Sequence, residues 1–266
     1  MDRCLICDSQ KNIVVTTGLL DGAEKQNADK SEGQTVVQCL ECGLYYYLPQ
    51  PSKRGLKAYH DKSYFIASSP QVQTGYPDYI DEAHKAVKVD WGMRMMQWLY
   101  QFDKTKSGTK RVLDIGCATG FTTYGMSQFQ LCNVEPVGID VSEWAIQYAK
   151  QAFPEIPFVC GELKKAKRYM PFDYAVFWDS LEHFPDLHKV IRTVSKLLRH
   201  NGLILIQTPD GEKSTPDWYY WSPHQHTCIF TFDSLSKLLG LYGIKIIKKR
   251  CSLEADEMIL IAQKWT

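Results

Sequence analysis

Nowhere in the 266 residues do 18 apolar side chains run together, and the opening MDRCLICDSQ holds no apolar stretch of signal length. Neither a membrane-spanning helix nor an export signal is expected, and the expected compartment is the cytoplasm. An excess of charge is missing too: 31 Lys and Arg stand against 30 Asp and Glu, with no long basic block. Such a balance does not draw the chain to nucleic acid or an anionic surface, so the expected partner is a small molecule. There is no internal repeat or low-complexity tract, and none of these features fixes an oligomeric state. The cysteines number nine, an odd count, and four of them form two CxxC pairs near the N-terminus. That usage suits a reduced protein holding a metal better than a disulfide framework.

A composition of 44% hydrophobic residues supports one domain of about 150 to 200 residues plus an accessory piece. Three segments separate by pattern. Residues 1–50 hold Cys4, Cys7, Cys39 and Cys42 among short β-prone runs (13–20, 35–39, 44–48) that flank a polar insert, DGAEKQNADKSEGQ. Residues 51–110 are loop-like at their prolines. From Asp78 they turn helical, with an expected apolar face of Ile80, Ala83, Val87, Trp91, Met95, Trp98 and Phe102. Residues 111–266 alternate apolar strands (112–115, 136–139, 157–160, 173–178, 203–207) with expected helices at 119–129, 142–153, 185–199 and 231–241. The third of these should stop at Asn201-Gly202. Two final strands, 244–250 and 258–264, are placed to pair as a hairpin. The sum is an α/β, doubly wound, Rossmann-like sheet of seven strands with an antiparallel C-terminal hairpin.

At residues 112–120 the chain reads VLDIGCATG, a strand, an acid and a glycine turn. In an open α/β sheet such a turn faces the ligand crevice, and Gly116 and Gly120 let a ligand approach the backbone. Asp140 ends the next strand, where a carboxylate can accept from both hydroxyls of a ribose. Nicotinamide dinucleotides and S-adenosylmethionine both fit that much, and three features separate them. The GxGxxG spacing of a pyrophosphate seat is missing. Asp114 would repel a pyrophosphate yet suits an ammonium and a sulfonium. The closing hairpin also leaves no second substrate domain after it.

From Arg111 onward the chain resembles class I S-adenosylmethionine-dependent methyltransferases: VLDIGCATG, GIDVS, CGEL and FDYAVFWDSLEHFPDL are similar to that family's first four motifs, in order. The resemblance implies that Asp114 and Gly116 lie along the methionine portion of the cofactor and that Asp140 holds its ribose. It further implies that Glu162 or Leu163 lines the adenine and that Trp178 and Asp179 close the pocket. Glu162 stands where Asp is common. Cys39 to Phe65 is similar to the linker of bacterial methyltransferases with an N-terminal zinc ribbon, including deoxysugar C-methyltransferases, which makes Tyr64 and Tyr79 candidates for touching ligand. HQHTCIFTF resembles the stretch that carries the catalytic histidine of those sugar enzymes and places His226 as the base, with Gln225 where Glu is expected. His224, Tyr219 and Asp179 are further candidates, whereas His183 in DSLEH is read as structural.

Two CxxC knuckles offer four thiolates to one tetrahedral ion, so Cys4, Cys7, Cys39 and Cys42 are expected to hold a structural zinc whose closed shell leaves no room for substrate. The expected activity is methyl transfer to a small-molecule acceptor, a sugar or a natural-product intermediate. The competing readings are RNA or protein modification, with the ribbon as recognition module, and a non-catalytic cofactor-binding protein.

Overall fold

The computed structural model describes residues 3–19, 34–52, 55–56, 62–65, 79–218, 220–222, 225–251 and 256–265. Among these, eleven strands form two sheets. The smaller sheet takes β1 (Asn12–Leu19), β2 (Gln34–Cys39) and β3 (Tyr45–Leu48), and is completed by β9 (Cys228–Ile229) from the far end of the sequence. Tyr45 and Tyr46 pair with Ile229 and Cys228, so the N-terminal segment is stitched into the larger unit rather than hung from it.

The larger sheet contains β4 (Lys110–Ile115), β5 (Val134–Asp140), β6 (Phe158–Cys160), β7 (Phe172–Trp178), β8 (Leu198–Pro209), β10 (Ile244–Cys251) and β11 (Glu257–Lys264), in the order β10-β11-β8-β7-β4-β5-β6. The five from β8 to β6 are parallel, whereas β11 runs antiparallel to both β8 and β10. This is the expected architecture. Strand alternation divides the core. Tyr174 and Val176 face one layer with Met95, Met96, Leu99 and Met126, while Ala175 and Phe177 face the other with Ile191, Val194, Leu235 and Leu238. The connection after β4 proceeds to β5 and then β6, and the chain returns to the other side of β4 as β7. That reversal opens a crevice at the carboxyl ends of β4, β5 and β7.

Among the described residues the sheet is covered by α1 (Glu82–Phe102), α2 (Phe121–Ser127), α3 (Glu143–Ala152), α4 (Leu187–Leu197) and α5 (Phe232–Gly240). Side-chain caps start four of them, from Asp81, Ser142, Asp186 and Thr231. Their bounds fall inside the expected ones. Asn201, at φ +62°, and Gly202 lie within the opening of β8 instead of closing α4.

The apolar face expected for α1 holds in its second half, where Met95 is buried and Trp91, Trp98 and Phe102 pack against the core, and requires correction in its first turns. Ala83 and Val87 are exposed, and the buried positions are Gly92, Met95, Met96 and Leu99. The cause is a backbone approach that apolar spacing does not reveal. A Cβ on Gly92 would collide with the Thr122 carbonyl oxygen, and one on Gly125 with that of Val89. The two glycines let α1 and α2 cross in direct contact and set which side of α1 turns inward.

Where α1 ends, Asp103 forms a buried ion pair with Lys110 at the start of β4, at 2.7 Å, and accepts a hydrogen bond from the Tyr174 hydroxyl at 2.6 Å. Paired charges with further hydrogen bonds are the tolerable form of buried ions, and here they fasten the helix to the middle of the sheet.

Candidate functional site

The crevice is built from the glycine turn outward. Gly116 (φ +82°) and Gly120 (φ +84°) both occupy the left-handed region. A Cβ on Gly116 would sit 2.6 Å from that of Ser180. The ends of β4 and β7 are therefore as close as their backbones allow, and the Ser180 hydroxyl donates to the Ile115 carbonyl at 2.7 Å. Asp140 braces the turn from the end of β5: one carboxylate oxygen accepts from the Ala118 N–H at 3.0 Å and the other from that of Ser142 at 2.8 Å.

Asp114 is buried at the end of β4 and accepts from the Thr123 hydroxyl at 2.6 Å. Burial, opposed by that hydrogen bond and reinforced by the charge of Asp140, raises its carboxyl to about 6. Asp179 follows β7 with φ +48°, a backbone conformation that a non-glycine residue holds only when its surroundings enforce it. Burial and the neighbouring Glu257 push it up to about 7. Trp178 is half-buried, with ring centroids 5.1 Å from Trp91 and 6.1 Å from Trp98 on α1.

At the outer edge, Glu162 is solvent-exposed and pairs with Lys189 at 3.1 Å and Lys164 at 3.5 Å, whereas Leu163 is buried. Tyr64 lies in a short 3-10 turn (Lys62–Phe65) against Tyr79, and the adjoining Phe65 stacks on Trp144 of α3 at 5.7 Å. The linker turn is thereby docked on the helix that follows Asp140.

His226 is buried, its Nδ1 2.9 Å from the Tyr220 carbonyl oxygen. A carbonyl only accepts, so Nδ1 carries the proton and Nε2 is the basic atom of the neutral ring. His224 and Tyr219 lie outside the described residues. The structure adds two neighbours that sequence reasoning passed over. His183, read as structural, has its ring centroid 4.9 Å from that of His226, and Glu182 is almost wholly buried beside them. The signal was present in DSLEH, since residues 182–183 follow β7 directly and so must stand at the crevice. A groove of about 700 Å³ between Arg111, Tyr124, Pro154 and Arg168 lies at the opposite end of β5 and contains none of the candidate residues.

In the N-terminal sheet the ligand atoms of Cys4, Cys7, Cys39 and Cys42 lie within 4.8 Å of one another. The Sγ atoms of Cys4 and Cys42 are 3.4 Å apart and those of Cys7 and Cys39 3.5 Å, far beyond a disulfide bond. Four thiolates about 2.3 Å from a tetrahedral zinc would stand about 3.8 Å apart, so the donor set fits the metal with little movement.

The sequence profile of the family described as "Methyltransferase domain" matches residues 82–249, more than half of the chain. The chain belongs to this methyltransferase family. A protein of Mycobacterium tuberculosis named as a probable S-adenosylmethionine-dependent methyltransferase is 24% identical over 153 residues, which are 56% of this chain and 54% of that protein. A ubiquinone biosynthesis O-methyltransferase of Neisseria meningitidis is 27% identical over 106 residues, 37% of this chain and 44% of that one. The chain thus spans about half the length of the curated relatives it matches. Among solved structures, magnesium protoporphyrin IX methyltransferase from Synechocystis with bound S-adenosylhomocysteine superposes with a TM-score of 0.57 at 16% identity, covering 80% of this chain and all of that one. A (4+2) cyclase gives 0.55 at 17% identity, covering 71% and 85%. Both likenesses are of fold, and the cyclase marks that this methyltransferase fold also hosts other chemistry. Among the described residues no helix is long and apolar enough to cross a membrane.

Proposed function

We propose that the chain transfers a methyl group from S-adenosylmethionine to a small-molecule acceptor, a sugar or a natural-product intermediate. The observation that carries this reading is the pair of acids, Asp114 and Asp140, held on either side of a glycine turn at the switch point of the sheet. Asp140 is the group to accept from ribose hydroxyls, and Asp114 the group to face the ammonium and sulfonium. Glu162 and Leu163 flank the adenine, and Trp178 and Tyr64 exclude water from either side. The division of labour is a zinc ribbon at 1–50, a linker and lid helix at 51–110 and the transferase domain at 111–266, with one structural zinc on Cys4, Cys7, Cys39 and Cys42.

Bound in this crevice, S-adenosylmethionine supplies a methyl on a positively charged sulfur. The protein then has to align an acceptor and, where the acceptor is a hydroxyl or an acidic carbon, take its proton. The two groups proposed to do so are Nε2 of His226 and the carboxylate of Asp179. The relative from ubiquinone biosynthesis favours a small acceptor over RNA or protein, as does the near-zero net charge. Incubated with methyl-labelled S-adenosylmethionine and a cell extract, the protein should move label into the small-molecule fraction. Label confined to RNA or protein would overturn the acceptor class.

Asp114 gives this reading a pH signature. Its folded-state value near 6 lies above the ordinary carboxylate value of 3.8, so between those limits the unliganded protein holds a proton that the unfolded chain has released. A cationic ligand prefers the ionised carboxylate. Affinity for S-adenosylmethionine should therefore rise as pH increases through about 6, and Asp114→Asn should flatten the rise and weaken binding. A pH-independent affinity in the unsubstituted protein would show that Asp114 does not face the ligand's charge.

A further inference from the structure

We infer that Glu182, His183 and His226 form a site for a divalent first-row transition-metal ion at the acceptor end of the crevice, suited to an acceptor that presents two neighbouring oxygens. The inference deepens the methyl-transfer reading and rests on it for the identity of that acceptor end, whereas the metal site itself stands on geometry.

The backbone brings together three ligands from two distant segments. Glu182 and His183 belong to a 3-10 turn (Leu181–His183) after β7, and His226 to the loop before β9. Thr227 joins the two: its N–H and its hydroxyl both donate to the Glu182 carbonyl, at 2.8 and 2.9 Å, and the hydroxyl also donates to that of Phe184. One ligand atom from each residue then lies within 4.8 Å of the others, and Nε2 of His183 is 3.9 Å from Oε1 of Glu182. Ligands about 2.1 Å from a metal and at right angles to each other stand about 3 Å apart, so closing the shell needs side-chain movements of about an ångström.

Each ligand is also oriented from behind. His183 Nδ1 donates to the Gln225 carbonyl at 2.8 Å and His226 Nδ1 to that of Tyr220 at 2.9 Å, which places both electron pairs at Nε2. The Thr208 hydroxyl donates to Oε2 of Glu182 at 3.0 Å and holds Oε1 toward the histidines. Backbone carbonyls on the far nitrogen of each imidazole, and a hydrogen bond on the carboxylate, are the supports that metal ligands receive.

Charge points the same way. Glu182 is 1% exposed, and among the described residues no Lys or Arg lies within ion-pair distance of it or of Asp179. Asp179 and Glu257 are close enough for their charges to act on Glu182. A dication would relieve this crowding.

Two imidazoles and one carboxylate select Mn2+, Fe2+, Co2+ or Zn2+ over the oxygen-seeking Mg2+ and Ca2+. Three protein ligands leave adjacent positions for two acceptor oxygens, as in a vicinal diol, a catechol or an α-hydroxy carbonyl. A hydroxyl placed there becomes more acidic. With the Nε2 pair of His226 given to the metal, the acceptor proton passes to Asp179, the second of the two proton acceptors proposed above.

The test is a Mn2+ titration of zinc-loaded protein, with free Mn2+ read by electron paramagnetic resonance. One Mn2+ per chain is expected beyond the zinc, with affinity lowered about 10- to 100-fold by Glu182→Gln and by His226→Asn. Absence of a bound Mn2+ at millimolar concentration, or unchanged affinity in both variants, overturns the site. Should either variant fail to fold, Co2+ added to the unsubstituted zinc-loaded protein decides. Weak visible bands of nitrogen and oxygen coordination support the site, and intense thiolate charge-transfer bands alone contradict it. S-adenosylhomocysteine affinity measured on the same samples separates the two readings, because its absence sinks methyl transfer and leaves the Mn2+ result standing.

Discussion

Cys39→Ser is expected to strip the metal from the N-terminal cluster and to lower stability by about 5 kcal/mol or more, since four-thiolate zinc binding in small modules is itself folding free energy. The damage should not stay local. Cys4, Cys39 and Cys42 are buried in the same core as Leu44, Tyr46, Phe230 and Leu235, and β3 pairs with β9 immediately after the loop that carries His226. His188 of α4 adds a tie from the transferase side, its Nε2 donating to the Ile6 carbonyl at 3.0 Å. Loss of the metal should therefore loosen residues 225–229 as well as the ribbon, and turnover should fall with stability. Metal analysis and thermal unfolding with and without a chelator check this. A chain that is metal-free as purified, with reduced cysteines and an unchanged unfolding temperature, contradicts it.

His226→Asn and Asp179→Asn should each lower turnover about a hundredfold or more while leaving S-adenosylmethionine affinity unchanged, the usual loss when a group that takes the acceptor's proton, or holds the metal ion that acidifies it, is removed. Asparagine at 226 can still donate to the Tyr220 carbonyl, so the loop stays pinned and the loss reports chemistry. The two variants differ in their pH profiles. Asp179, pushed to about 7 by burial and by Glu257, accepts a proton only when ionised, so activity should climb as pH rises through about 7. Asp179→Asn should remove that rise. Near-normal turnover in either variant would remove that residue from the chemistry.

Much of this was legible in the sequence because it depends on local rules. Apolar runs such as FDYAVFW predict strands buried on both faces, and β7 is one. The glycine turn and the acid at the end of the next strand predict the crevice, because only glycine permits the approach of Gly116 to Ser180. What stayed hidden depends on contacts between distant segments. The crossing of α1 over α2 is set by Gly92 and Gly125, which carry no apolar signal, so the burial of Gly92, Met96 and Leu99 beside the expected positions Trp91, Met95, Trp98 and Phe102 could not be read from spacing. The pairing of β3 with β9 joins residues about 180 positions apart, beyond any local pattern. Glu182 and His183 were visible as letters, but their meeting with His226 depends on hydrogen bonds from Thr227 that only the folded chain reveals.

Whether the crevice between Gly116, Gly120 and Asp140 holds S-adenosylmethionine is decided by titration calorimetry of the unsubstituted protein and Asp140→Ala. One S-adenosylmethionine or S-adenosylhomocysteine per chain is expected, its binding weakened by about 1 to 3 kcal/mol in the variant through loss of charge-assisted hydrogen bonds to the ribose, with no comparable binding of NAD. Equal affinity in the two proteins, or a preference for NAD, would contradict that expectation.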